Sequence, residues 1–229
     1  DINAGRVDLA LMELDQLSKD ERFDAVNRWQ AEWNLARALQ TNGRMKDAYA
    51  RVTDLLAQSD DATRDLSKEL RARMIWLQAR LSLQAGEPER TLQLVDALDD
   101  TLPEISEALS GKISSSGSLL KAEAFFKLNR MESAIELLQN LRSDFPNSDA
   151  AIYSIIVEAA YYADQDQTVE AQRLYTKLAD DFPGNADYAP FALFQAALQA
   201  ERRGQDSNLV EANRLIEDLV TRYRTSPLV

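Results

Sequence analysis

Neither cysteine nor histidine occurs anywhere in the 229 residues. Without them there can be no disulfide, no thiolate nucleophile and no zinc site of the Cys/His kind. Imidazole, the usual proton carrier near neutral pH, is missing as well. These gaps remove most common enzyme mechanisms. They leave the compartment open, because a chain without Cys suits oxidising or reducing surroundings. Only seven glycines and six prolines are present, so long irregular segments have little to build on. No apolar run approaches the ~20 residues that a membrane span needs. Basic residues are outnumbered, 26 against 38 acidic, for a net charge of −12. That field repels phosphate backbones and anionic lipid, which disfavours nucleic acid and membrane surfaces as partners. The chain opens at Asp1 without a signal peptide or initiator Met and reads as a mature or trimmed piece.

What the chain does have is a repeat. WNLARALQTNG (33–43) and WLQARLSLQAG (76–86) share W-x2-A-R-x5-G. LRSDFPNSDAA (141–151) and KLADDFPGNAD (177–187) share an aromatic-Pro closing followed by turn and cap residues, and LPEI at Leu102–Ile105 is a third, reduced copy. Aligned on these, Ala10, Ala48, Thr91, Ala134, Ala171 and Ala212 form a column of small residues spaced 38, 43, 43, 37 and 41 apart. Four places on stand Leu14, Val52, Val95, Leu138, Tyr175 and Ile216; seven on stand Leu17, Leu55, Leu98, Leu141, Leu178 and Leu219. Small, then large apolar at these intervals, is one face of a helix. Five places before the small residue is a turn residue: Gly5, Gly43, Gly86, Asn129 or Asp166, with Gly204 displaced by three extra residues. A second small column, Ala36, Ala79, Ala122, Ala159 and Ala197, precedes each turn. Each unit is therefore a helix, a tight turn and a second helix.

This pattern resembles the tetratricopeptide repeat, whose signature is W-x2-L-G-x2-Y, then A-x3-F-x2-A and a closing P. The second half carries the resemblance: Ala134, Leu138, Leu141 and Pro146 in one copy, Ala171, Tyr175, Leu178 and Pro183 in the next. The first half departs from it, and the periods exceed the family's length of about 34 residues. The resemblance implies an all-α, right-handed superhelical solenoid of antiparallel helix pairs over residues 1–229. Its parts are a half-repeat at 1–18, repeats at about 21–59, 63–102, 104–146, 149–183 and 187–224, and the start of another at 225–229. It further implies a non-catalytic scaffold that holds a peptide or protein segment in a concave groove lined by the first helices. The Phe-Pro closings resemble those of bacterial envelope proteins, such as outer-membrane assembly lipoproteins and Tol-Pal coordinators. That favours a periplasmic or envelope location over a cytoplasmic one. Two alternatives stand beside this reading: a segment of a longer array that self-associates through its exposed solenoid ends, and a regulatory domain of a larger enzyme.

Counting from the small residue of each first helix gives the groove candidates. They are Trp33, Arg37, Trp76, Arg80, Glu123, Phe126, Lys127, Ile156 and Phe194. Each Trp is four residues before its Arg, on the same helical face. Core packing is the favoured reading of the Trp pair, with groove exposure the alternative. The Arg pair is expected to be exposed, or laddered to Glu32 or Asp47.

Other stretches carry no chemistry. Gly111-Lys112 lacks the rest of a phosphate loop, since Ser106 and Ile113 stand where Gly and Ser/Thr belong. DQDQTVE (164–170) lacks a calcium loop's Gly and closing Glu, having Val169 and Tyr175 there. The acidic pairs Asp60-Asp61, Asp99-Asp100 and Asp180-Asp181 fall in different repeats and read as solvated. No G-x-S-x-G occurs. No cofactor or metal site is expected. SGKISSSGS (110–118) predicts a kink or a lengthened connection near Gly111–Gly117.

Overall fold

The computed structural model describes residues 6–17, 25–57 and 67–229. Gly5 and the Asp60-Asp61 pair lie outside the described residues. The chain divides into two compact units, Asp1–Asn129 and Arg130–Val229. The first holds α1 (Val7–Leu17), α2 (Ala25–Thr41), α3 (Met45–Ala57), α4 (Lys68–Gln84), α5 (Pro88–Asp99) and α6 (Glu107–Lys127). The second holds α7 (Met131–Asp144), α8 (Asp149–Asp164), α9 (Thr168–Asp181), α10 (Ala189–Arg202) and α11 (Asp206–Arg222). The described residues contain no strand. Within each unit a helix packs mainly on its neighbours in sequence, which is the packing rule of a solenoid.

The small columns are where that packing is tightest. In the first unit Ala10, Ala36, Ala48, Ala79, Thr91 and Ala122, and in the second Ala134, Ala159, Ala171, Ala197 and Ala212, are all buried. With no side chain beyond Cβ, alanine lets paired helices approach closely enough for Leu35, Leu39, Leu77 and Leu98, or Leu138, Leu178 and Leu219, to be enclosed. Each such Leu contributes about 1.5–3 kcal/mol of burial. Thr91 is the exception, and its hydroxyl lies 2.8 Å from that of Ser82 on the paired helix.

All five intra-repeat turns of the described residues pass through a left-handed residue: Gly43, Gly86, Asn129, Asp166 and Gly204, with φ between 57° and 86°. That conformation costs Gly nothing and is tolerated by Asn and Asp. At Gly43 it lets the Arg44 N–H donate to the Leu39 carbonyl at 2.9 Å, and at Asp166 the Gln167 N–H to Tyr162 at 2.8 Å. Carbonyls orphaned at the helix ends are thereby satisfied. The second helices of the second unit also stop in one way. Phe145, Phe182 and Tyr223 share φ near −128° and ψ near 50°, and each N–H bonds the Leu carbonyl four residues back.

The expected break in 110–118 is absent. α6 runs unbroken for 21 residues through Gly111 and Gly117. Its small residues are a packing surface: Ser115 and Gly117 are buried, and a Cβ on Gly117 would lie 3.5 Å from Val95 and 3.8 Å from Leu98. Ser116 donates to the Lys112 carbonyl at 2.8 Å, returning its hydroxyl to its own helix. Tertiary contact with α5 outweighs the weak local propensity.

Two buried acids interrupt the apolar interior. In the first unit Glu32 on α2, 2% exposed, accepts two hydrogen bonds from Arg51 on α3, at 2.6 and 2.8 Å. In the second, Arg142 on α7 donates to Glu158 on α8 at 2.6 Å.

Two stability series test this account. Because the Gly117 contacts are ordinary van der Waals distances, Gly117→Ala is expected to stabilise by about 0.5–1 kcal/mol. Gly117→Leu, which must displace α5, is expected to destabilise by about 1–3 kcal/mol in urea unfolding. Arg51→Ala strands the Glu32 carboxylate and is expected to cost about 3–5 kcal/mol, while Arg214→Ala, at a surface pair on α11, costs under about 1 kcal/mol.

Candidate functional site

In the first unit, α2 and α4 present the same two side chains at the same register. Arg37 lies over the Trp33 ring with its guanidinium carbon 6.0 Å from the centroid. Arg80 lies over Trp76 at 5.6 Å. One turn along, the Gln40 amide of α2 donates to Gln84 of α4 at 2.8 Å, so the two rows run side by side. Both arginines are exposed, and among the described residues neither pairs with a carboxylate. A guanidinium laid on an indole keeps its edge N–H groups available to an outside acceptor.

The ladder expected between these arginines and Glu32 or Asp47 does not form. Glu32 is taken by Arg51, and Asp47 by Arg44 at 2.7 Å. Arg51 reaches Glu32 across the helix pair from α3, and Arg44 reaches Asp47 three residues along the chain.

The Trp pair is neither wholly core nor wholly surface. Trp33 and Trp76 are both half-buried. Trp33 packs on the core of α1–α4, and Trp76 touches that core and the two smaller clusters beyond it. Each ring thus seals the interior with one side and seats an arginine with the other. The Trp76 indole N–H is buried with no acceptor among the described residues. The fully enclosed tryptophan is Trp29, 2% exposed, which the groove register passed over. It stands seven residues before Ala36, two turns back on the face that meets the paired helix, and that spacing is the signal that could have found it.

On α6 the register gives Glu123, Phe126 and Lys127. Glu123 is half-buried; burial pushes its carboxyl above the usual range, while Arg80 and Lys127 pull it back. Lys127 is exposed, and Phe126 is buried. In the second unit Ile156 belongs to the core, and Phe194 is half-buried against that same core. Phe126 and Ile156 are therefore not on the accessible surface. The first unit brings Trp33, Arg37, Trp76 and Arg80 together, with Glu123 and Lys127 on the next first helix.

Among the described residues no other cluster competes. A cavity of about 540 Å³ bordered by Leu11, Asp15, Arg28, Trp29, Glu32 and Arg51 holds acids already bound to Arg51. Asp99-Asp100 and Asp180-Asp181 are exposed, as the solvated reading requires, and Asp181 pairs with Lys177 on its own helix. Among the described residues no three potential metal ligands converge, and no helix is long and apolar enough to cross a membrane.

Residues 118–148, from late α6 to the start of the next repeat, match the tetratricopeptide-repeat family. A solved structure of nearly identical TPR-like repeats, assigned to a kinesin light chain of Podosopora anserina, superposes with a TM-score of 0.60. It is 18% identical, over 85% of this chain and 94% of the other, a likeness of fold. No curated protein matches. Tetratricopeptide repeats generally mediate protein–protein interaction, and such scaffolds are typically non-catalytic. The turn register, the small columns, the helix-on-neighbour packing and the structural likeness make the chain an all-α repeat solenoid, with the tetratricopeptide-repeat match carried by residues 118–148.

Proposed function

We propose that the chain is a non-catalytic scaffold that binds an acidic peptide or protein segment along the first helices of its first unit. The observation that carries this reading is the pair of exposed guanidinium groups, Arg37 and Arg80, each held on a tryptophan and neither ion-paired with a carboxylate among the described residues. In a chain of net charge −12, two guanidinium groups side by side form a local positive patch, with Glu123 of α6 acting on Arg80. Trp and Arg are also the side chains most enriched where binding energy concentrates. Stacking fixes each guanidinium plane, so less rotamer entropy is lost when it grips a carboxylate through two parallel hydrogen bonds. Glu123 and Lys127 on α6 continue the row and set which end of an extended ligand carries its charge. The net charge supports exclusion of nucleic acid. The Phe-Pro closings after α7 and α9 support a place in a bacterial envelope assembly.

A labelled glutamate-rich decapeptide titrated into the chain is the direct test. Arg37→Glu with Arg80→Glu is expected to lower its affinity at least tenfold, with thermal stability changed by no more than the loss of two exposed cation–π contacts, about 0.5–1 kcal/mol each. Equal binding by wild type and double variant sinks the proposal.

A further inference from the structure

The three first helices of the first unit carry a charge at one place in their register. Arg37 of α2, Arg80 of α4 and Glu123 of α6 each stand one residue after the small residue of their helix, Ala36, Ala79 or Ala122. Matching ends of these helices meet. At the C-terminal ends Gln40 of α2 donates to Gln84 of α4 at 2.8 Å. At the N-terminal ends Ser106, the cap of α6, donates to Glu69 in the first turn of α4 at 2.7 Å. The register place therefore forms an ordered row across the unit: positive, positive, negative.

Its third member differs from the other acids that this protein withdraws from water. Glu32 accepts from Arg51 at 2.6 Å, and in the second unit Glu158 accepts from Arg142 at 2.6 Å. Glu123 is half-buried too, yet among the described residues it makes no hydrogen bond or ion pair. Arg80 and Lys127 act on it through their fields alone, and burial outweighs both. Arg80 is laid on Trp76, and Lys127, one turn further along α6, is exposed; neither closes on the carboxylate. A carboxylate held away from water is costly until a cation or donor meets it.

We infer that the segment bound along this row carries two acidic residues and then a basic one, at intervals of about three residues, the basic residue pairing with Glu123. The interval follows from packing: neighbouring helices stand about 8–10 Å apart, and an extended chain advances about 3.3 Å per residue. The inference rests on the arginine row being the binding surface, as proposed above, and adds the order of charge that the row selects. A segment acidic throughout would set a third carboxylate against Glu123, and a cation in the middle would face Arg80.

Calorimetric titration of end-blocked heptapeptides into the intact 229-residue chain tests the order. E-S-S-E-S-S-K and its reverse, K-S-S-E-S-S-E, place the cation at one end. E-S-S-K-S-S-E has the same composition with the cation in the middle, and E-S-S-E-S-S-E has none. The better of the two end-cation peptides is expected to bind at least about fivefold tighter than either of the others. Glu123→Gln should erase its margin over E-S-S-E-S-S-E, and Glu123→Lys should make that all-acidic peptide the preferred ligand. Far-UV circular dichroism identifies folded variants, and Gln, close to Glu in shape, keeps the test open if the Lys variant misfolds. Binding that Arg37→Glu with Arg80→Glu removes, but that ignores the third charge or keeps its preference in Glu123→Gln, overturns this inference and leaves the arginine row standing. Absence of arginine-dependent binding by every peptide overturns both.

Discussion

Close approach at the alanine columns is the constraint on which the rest of this protein depends. The alanines bury little apolar area themselves. Their contribution is geometric: they set the distance between paired helices, and with it which neighbouring side chains interlock and which face outward. Fixing Ala36 and Ala79 against their partner helices is what puts Trp33 and Trp76 at the rim of the core and Arg37 and Arg80 beyond it. A larger residue at either column would separate the pair and detach the site from its support. The arginine row and the core are thus two readings of one register.

Charge is organised on the same frame. Burying a carboxylate is costly unless it is paired and hydrogen-bonded, and Glu32 and Glu158 meet that condition differently. Arg51 reaches Glu32 within one helix pair, whereas Arg142 reaches Glu158 in the following repeat. The first clamps two helices of a repeat, and the second fixes the step between repeats. Surface pairs such as Arg214 with Glu211 and Asp218 are exposed to solvent and contribute far less.

Much of this was legible in the sequence because the repeat is a local code. The turn residues, the small columns and the aromatic closings lie within about a dozen residues of one another, and the structure uses each as the register requires. What escaped was set by contacts between helices. Ser and Gly in 110–118 read as a helix breaker until Val95 and Leu98 are placed against Gly117. Arg37 looked like a partner for Glu32, five residues away on its own helix, until Arg51 arrived from α3. The Trp pair was posed as core or groove, but a residue at the edge of a tight helix pair can be both. Phe126 and Ile156 show the converse, being enclosed at positions that the register placed in the groove.

The uneven placement of aromatic residues has a spectroscopic consequence. All three tryptophans, Trp29, Trp33 and Trp76, lie in the first unit, while six of the seven tyrosines lie in the second. Indole emission therefore reports on the first unit alone, with Trp29 sensing its enclosed interior and Trp33 and Trp76 its rim. The far-ultraviolet helical signal is shared by both units. If the two signals lose their native values at different denaturant concentrations, the units unfold as separate cooperative blocks, and the natural chromophores suffice to observe it without any label.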